Sequence, residues 1–368
     1  MDYKKGVLIA FGELFLKSKG VRKVFQRRLI NNLRFFLKKE GLVFKINSFR
    51  ERTFIKTDQI IKAEKTIKRV FGIAWLAESF YFSGLKELLN FIDKNYQNYI
   101  KKDETFAIRI KKDRELIERI AKNINRKVDL NNPKKEIFIE NREDGWFLYF
   151  KKIRGAGGLP NGSSGRALCL ISGGIDSVPA SFLAAKRGAE NIWLHFHSFP
   201  LVSNSSIEKV KELAKIYLKY QPKLKIYFVS FQKNQLEIKA KAPANYRVLL
   251  YRRLMFKIAE KIALKENCQV LITGESLGQV SSQTLANIKI IEEKIKMPVL
   301  RPLISWDKEE IIDLAQKIGT YGISIKPQED CCTLFVSKHQ TAQGSLETVR
   351  KLEKKIRPFR LDYDLYLI

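Results

Sequence analysis

The spacing of apolar and polar positions divides the chain into short elements. From the amino end it predicts a strand over Gly6–Ala10, a helix over Val21–Lys39, and strands over Leu42–Asn47 and Arg52–Lys56. In that helix Val24, Leu29, Leu33 and Phe36 share a face, leaving Arg22, Lys23, Arg27, Arg28 and Arg34 as a basic surface. A second mixed set follows, with helices over Ile60–Val70, Leu85–Tyr99 and Arg114–Asn125 and strands over Ile73–Glu78, Thr105–Ile110, Glu136–Glu140 and Trp146–Tyr149. Glycine and proline break the segment Lys151–Gly165, which reads as a linker. Beyond it the apolar strands Ala167–Ile171, Asn191–His195, Lys225–Ser230 and Gln269–Thr273 alternate with helices Ser177–Arg187, Ile207–Leu218 and Asn245–Lys265. That alternation predicts a parallel sheet covered on both faces, whose ligands bind beyond the carboxyl ends of the strands, so Ser172, His195 and Thr273 fall on one rim. A final helix, Ser345–Lys355, leads into a short tail.

A chain of 368 residues, 45% hydrophobic, suits two or three domains with filled cores. Its 69 Lys and Arg against 39 Asp and Glu give a net charge of +30, of which +18 lies in residues 1–160 (37 basic, 19 acidic) and +12 in residues 161–368. Such self-repulsion points to a polyanionic partner, with nucleic acid ahead of an anionic membrane surface. No apolar run approaches the roughly 20 residues that cross a bilayer, and Met1–Lys5 runs into strand-like sequence without a signal-type segment, so a soluble cytoplasmic protein is expected. Cys169, Cys268, Cys331 and Cys332 are too few for a disulfide framework, and with only His195, His197 and His339 no zinc spacing assembles.

The chemistry concentrates after the first strand of the C-terminal half. Ser172-Gly173-Gly174-Ile175-Asp176-Ser177 connects that strand to a helix, an arrangement in which backbone N–H groups and a helix N-terminus converge on an anion. Ser172 and Ser177 offer hydroxyls, and Asp176 can hold magnesium against a pyrophosphate. No Gly-Lys-Ser/Thr occurs, so this is not a Walker A loop.

Ser-Gly-Gly-x-Asp-Ser after a strand resembles the PP-loop of the ATP pyrophosphatases, which split ATP between the α and β phosphates to adenylate a substrate. Further segments, in order, resemble the tRNA 4-thiouridine synthetase family. They are Gly12–Lys17, Gly158-Leu159-Pro160, Lys186-Arg187-Gly188, His195–Ser198, Gly274–Thr284 and Glu329-Asp330-Cys331-Cys332-Thr333. The resemblance implies an α+β and α/β multidomain protein: an N-terminal ferredoxin-like domain (1–58), a THUMP RNA-binding domain (59–155) and a Rossmann-like PP-loop domain with a parallel sheet (156–368). It implies an enzyme that adenylates O4 of uridine 8 in tRNA and replaces that oxygen with sulfur. It also implies ATP contacts at Leu170, Ile171, His195, Phe196, Arg252, Gly274 and Gln283 beside the loop residues Ser172, Gly173, Gly174, Asp176 and Ser177.

The family's catalytic cysteine falls at Cys331 or Cys332, and thiolate character is what sulfur transfer demands of it. Cys169 and Cys268 read as buried core residues. Many family members carry a rhodanese domain, which this sequence lacks, so a persulfide from a cysteine desulfurase or sulfide is the expected donor. Some members without it use an iron–sulfur cluster on three cysteines; here Cys268, Cys331 and Cys332 are the available set, without a CxxC pair. Lys111, Lys112, Arg114, Lys151, Lys152 and Arg154 are the candidate RNA contacts, and the resemblance implies a homodimer. Two other readings stand beside this one: a different PP-loop tRNA-thiolating or adenylating enzyme, and a non-catalytic RNA-binding protein with a decayed nucleotide loop.

Overall fold

The computed structural model describes residues 3–13, 18–49, 51–111, 113–142, 145–328, 331, 334–337, 340–357 and 359–368, which form two compact units, Met1–Pro160 and Asn161–Ile368. Unit 1 runs β1 (Tyr3–Phe11), α1 (Lys19–Lys39), β2 (Lys45–Ser48), β3 (Arg52–Lys56), α2 (Ile60–Ile67), β4 (Ile73–Phe82), α3 (Leu85–Asn95), β5 (Phe106–Ile110), α4 (Arg114–Lys122), β6 (Lys135–Arg142), β7 (Gly145–Tyr149) and β8 (Ile153–Arg154). Its sheet has the order β2-β3-β1-β4-β7-β6-β5, with β8 on β4. One sheet therefore crosses the expected boundary at residue 58, because β1 hydrogen-bonds both β3 and β4.

Alternate residues of these strands point to opposite faces. Val7 and Ile9 pack with Leu29, Leu33, Phe36 and Leu37 of α1 and with Ile60, Ala63 and Ile67 of α2. Phe80, Phe82 and Leu148 pack with α3 and α4. Leu8, Phe54, Phe147 and Tyr149 gather on the other face. Two elements differ from the expected spans. β4 continues past Glu78, since that charge is paired across the strands to Lys5 (2.7 Å) while Phe80 and Phe82 are buried. α3 stops at Asn95, whose side-chain amide donates to the Phe91 carbonyl (2.8 Å), and a 3₁₀ turn follows. The stretch 155–159, expected to lie in the linker, is docked onto unit 1. Gly155 and Gly157 donate to the carbonyls of Ala74 and Ile73, and Leu159 enters the core, so the units divide after Pro160.

Unit 2 runs β9 (Arg166–Leu170), α5 (Ser177–Lys186), β10 (Glu190–His197), α6 (Ser205–Tyr217), β11 (Lys225–Ser230), α7 (Gln232–Lys241), α8 (Arg247–Lys265), β12 (Val270–Ile272), α9 (Leu285–Glu292), β13 (Val299–Leu300), α10 (Lys308–Ile318), α11 (Tyr321–Ser324), α12 (Leu346–Glu353) and β14 (Asp362–Leu367). The sheet order is β13-β12-β9-β10-β11-β14, parallel throughout except that β14 runs antiparallel to β11. The expected short tail is thus an edge strand. It is anchored by Tyr363 against Tyr227 (5.0 Å) and by reciprocal backbone bonds between Leu224 and Ile368. Among the described residues no helix is long and apolar enough to cross a membrane.

Candidate active site

β9 is buried along Ala167–Cys169 and feeds the loop 171–176 at its carboxyl end. Gly173 has φ +85°, a left-handed conformation, and a Cβ there would lie 2.8 Å from Gln328 Oε1. Ser172 Oγ accepts from the Gly174 N–H (3.2 Å). The loop ends at the N-terminus of α5, whose unpaired N–H groups and dipole favour an anion. Gly274, just beyond β12, packs on the same turn: a Cβ there would lie 2.9 Å from the Asp176 carbonyl and Ser177 Cα.

Around this loop opens a cleft of about 420 Å³, within the usual range for small-molecule sites. Leu170, Ile171, Ser172, Asp176, Ser177, His195, Phe196, Arg252, Gly274 and Gln283 all line it, and Gly173 and Gly174 form the adjoining turn. Cys331, buried, lines the same cleft; its carbonyl accepts from Gln235 Nε2 (2.5 Å), whose own carbonyl accepts from Ser198 Oγ. Cys332, Glu329, Asp330, Thr333 and His339 lie outside the described residues, as do Leu14–Lys17 of the first resemblance segment.

His195 Nδ1 lies 2.8 Å from the Ile171 carbonyl and donates to it, and Nε2 lies 3.1 Å from Ser206 Oγ, a hydroxyl that can give or take the hydrogen bond. These two contacts fix the orientation of the imidazole. Asp176 accepts from Lys308 Nζ (2.5 Å) and from Gln279 Nε2 (3.2 Å). Glu275 is buried beneath the cleft and accepts from Arg252, from Arg301 Nε (2.6 Å) and from Thr273 Oγ1 (2.9 Å). Burial pushes its carboxyl up, but the Arg252 and Arg301 guanidiniums outweigh this and hold it below the usual carboxylate range. Arg252 Nε and Gln283 Oε1 are buried without a hydrogen-bond partner, so the cleft presents one unfilled donor and one unfilled acceptor.

Sequence reasoning passed over Lys308, Arg301 and Gln328. Lys308 had a signal: Asp307 and Glu310 form a capping box, which puts a lysine in the first turn of α10, where the helix dipole disfavours a cation unless an acid compensates it. Gln328 Nε2 donates to the Ser172 carbonyl (2.9 Å), a loop-to-loop contact without periodic signature.

The remaining cysteines behave as core residues. Burial pushes the thiols of Cys169 and Cys268 up to about 12, so both stay protonated at neutral pH. Cys268 enters β12 from its amino end, five residues before Thr273, or about 16 Å of extended chain from the rim where Cys331 lies. Of the three cysteines available for a cluster, Cys332 lies outside the described residues. Among the described residues no three His, Cys, Asp or Glu side chains form a metal-binding group.

In unit 1, Lys111, Arg114 and Lys152 line a groove of about 1240 Å³ together with Arg52, Arg109 and Arg142. Lys152 Nζ stands 4.3 Å from the Phe138 ring centroid and 5.1 Å from that of Trp75. Lys151 and Arg154 are exposed outside this groove, and Lys112 is outside the described residues.

Comparison with known proteins follows the same division. A family model described as thiamine biosynthesis protein (ThiI) matches residues 162–357, and a ThiI ferredoxin-like domain model matches residues 6–77. A probable tRNA sulfurtransferase of Caldanaerobacter subterraneus subsp. tengcongensis is 39% identical over 99% of this chain and 97% of its own length. One from Halothermothrix orenii is 39% identical over 96% of this chain and 94% of its own. The crystal structure of a 4-thiouridine synthetase–RNA complex with bound ATP matches with a TM-score of 0.87 and 31% identity, covering 99% of this chain and all of that one.

Proposed function

The chain belongs to the ThiI family and is a tRNA sulfurtransferase, and from that premise we propose that it uses ATP to convert uridine 8 of tRNA to 4-thiouridine. The observation that carries this reading is the meeting of an anion-binding loop and Cys331 in one cleft, so that an activated oxygen and an incoming sulfur can share one base. Uracil O4 is a poor leaving group. Its attack on the α-phosphorus of ATP expels pyrophosphate and turns that oxygen into part of AMP. The terminal sulfur of a persulfide then adds at C4 and AMP departs with the original oxygen. A second thiol cleaves the remaining S–S bond, leaving thiouridine and a disulfide that an external thiol reductant resets.

In this reading Ser172, Gly173, Gly174 and Ser177 cradle the phosphates with the N-terminus of α5. Leu170, Ile171, His195, Phe196, Arg252, Gly274 and Gln283 hold the nucleotide, the unfilled Arg252 Nε–H and Gln283 Oε1 meeting its polar edge. The side chain of Asp176 suits magnesium, which, when bound, would neutralise charge developing on pyrophosphate; Lys308 and Gln279 keep the carboxylate aimed at the loop. Cys331 or Cys332 carries or resolves the persulfide, whose terminal sulfur is handed on from a cysteine desulfurase persulfide; sulfide as donor would instead add directly at C4 and expel AMP, with no S–S bond left to cleave. The stretch 59–155 serves as the THUMP domain, with Lys111, Lys112, Arg114, Lys151, Lys152 and Arg154 as phosphate contacts, and the active species is a cytoplasmic homodimer.

The test is nucleoside mass spectrometry of unmodified tRNA incubated with the protein, ATP, magnesium and a persulfide or sulfide source. The expected product is 4-thiouridine at position 8, lost with Asp176→Ala and with one of Cys331→Ala and Cys332→Ala. Thiolation at another position, or none with several donors under anaerobic conditions, would overturn the assignment.

A further inference from the structure

The basic surface of α1 has no part in the reading above. α1 carries eight Lys and Arg and no Asp or Glu in 21 residues, so it alone supplies +8 of the +18 in residues 1–160. Elsewhere in unit 1 basic side chains find acids, as in Lys5–Glu78, Arg109–Glu136 and Arg114–Glu118. Among the described residues none of the eight on α1 has an ion-pair partner. At 100° per residue Lys23, Arg27, Arg34 and Lys38 fall within about 60° of one another, in a band about 22 Å long. All four are exposed. α2, packed beside α1 on the same sheet face, adds exposed Lys62, Lys65 and Lys68. The aromatic wall of the groove at Lys152, Phe138 and Tyr149, belongs to the opposite sheet face with Leu8.

We propose that the α1 band is a second RNA-contacting surface, which grips the sugar–phosphate backbone of duplex RNA independently of the groove; this rests on the reading that the substrate is tRNA. A straight row of unpaired cations on a rigid helix suits phosphates at fixed spacing and reads shape, not sequence. Single-stranded RNA is a poorer fit, because such sites stack bases on exposed rings. The exposed ring of α1, Phe35, stands edge-on to Phe36 (5.5 Å). An anionic membrane is also a poorer fit: an interfacial helix inserts its apolar face, and here Leu29, Leu33, Phe36 and Leu37 are buried in the core.

The experiment compares the full-length protein with a Lys23→Gln/Arg27→Gln/Arg34→Gln/Lys38→Gln variant. Unmodified tRNA, a single-stranded RNA of equal length and phosphatidylserine vesicles are titrated across a salt series, with thermal unfolding and ATP binding as controls. The expected result is a tRNA Kd raised at least about tenfold at low salt and a log–log salt slope shallower by about 3, at about 0.7–0.9 per lost phosphate contact. Single-strand binding, ATP binding and thermal unfolding stay unchanged, and Arg27→Lys/Arg34→Lys keeps wild-type affinity. Wild-type tRNA affinity and slope in the quadruple variant would overturn the proposal while leaving the tRNA reading intact. Loss of vesicle binding with tRNA binding unchanged would overturn it in favour of a membrane. A wild-type protein that does not bind tRNA at all would overturn both readings.

Discussion

Both units carry an excess of positive charge, +18 in unit 1 and +12 in the longer unit 2, and they place it oppositely. In unit 1 the cations of α1 have no ion-pair partner among the described residues, and in the groove Lys152 stands over aromatic rings while Arg52, Arg109 and Arg114 pair with Glu140, Glu136 and Glu118 at its surface. In unit 2 the arginines of α8 turn inward: Arg252 is spent on buried Glu275, and Arg253, itself buried, on Glu293 and Glu353 (both 2.9 Å). Unpaired surface cations contribute little to folding and much to polyanion capture. Buried pairs contribute rigidity, at a desolvation cost that only complete pairing offsets. Net charge alone therefore indicates a partner, while the pairing pattern separates the surface that meets it from the scaffold that holds chemistry.

The largest effect expected from breaking that division is in unit 2. Asp176→Asn should lower the rate of thiolation at least about a hundredfold by removing the carboxylate that would hold magnesium against the pyrophosphate, with tRNA affinity unchanged. Single-turnover rates beside anisotropy titrations check this, and a parallel loss of tRNA binding would mean that the units do not divide labour in this way. Next comes Gly274→Ala. Its Cβ would lie 2.9 Å from backbone atoms of Asp176 and Ser177, which cannot yield as a flexible side chain would. Overpacking of this kind costs about 1–3 kcal/mol, and thermal unfolding should show that loss together with a weakened stabilisation by ATP.

Much of this was legible beforehand, because the strands around the site are short apolar runs ended by glycine or polar residues. β3 and β11 match their expected spans to the residue, and the loop 172–177 stands where strand-to-helix periodicity placed it. Three things were not legible, each for a different reason. β14 is an exposed edge strand, so Asp362-Tyr363-Asp364-Leu365-Tyr366-Leu367 lacks the apolar weight of a core strand despite its partial alternation. Gln328 reaches the loop across 156 residues, and although the capping box flags Lys308, its partner Asp176 lies 132 residues away, a pairing that only tertiary packing creates. The docking of 155–159 depends on backbone bonds to Ile73 and Ala74, to which side-chain pattern is blind.

A smaller effect sharpens the inward half of the comparison. Burial pushes the carboxyl of Glu353 up, but hydrogen bonds from Arg253 and Lys257 override it and hold it down at about 2. A depressed folded value means that the ion form stabilises the fold at pH above the ordinary carboxylate value of 4.5 and that this stability is lost as pH falls from there towards about 2. The difference in thermal stability between wild type and Glu353→Gln should be full at neutral pH and shrink between pH 5 and pH 2. A difference independent of pH over that window would mean that packing, not charge, makes Glu353 important.

The smallest stability effect belongs to the outward half. Arg114 pairs with Glu118 one turn on (2.9 Å), with 92% of the arginine side chain exposed, so water and salt screen the pair and its loss should cost no more than about 0.5 kcal/mol. Arg114→Ala should therefore leave thermal unfolding almost where it was. Its effect on RNA should be larger in proportion, because a cation lining the groove releases a condensed counterion for each phosphate it neutralises, an entropy that folding never collects. The expected result is a tRNA salt slope shallower by about 0.7–0.9, with affinity reduced severalfold at low salt and little changed at high salt. A shift in unfolding without a shift in slope would reverse the roles given to Arg114 and place it with the scaffold cations of unit 2.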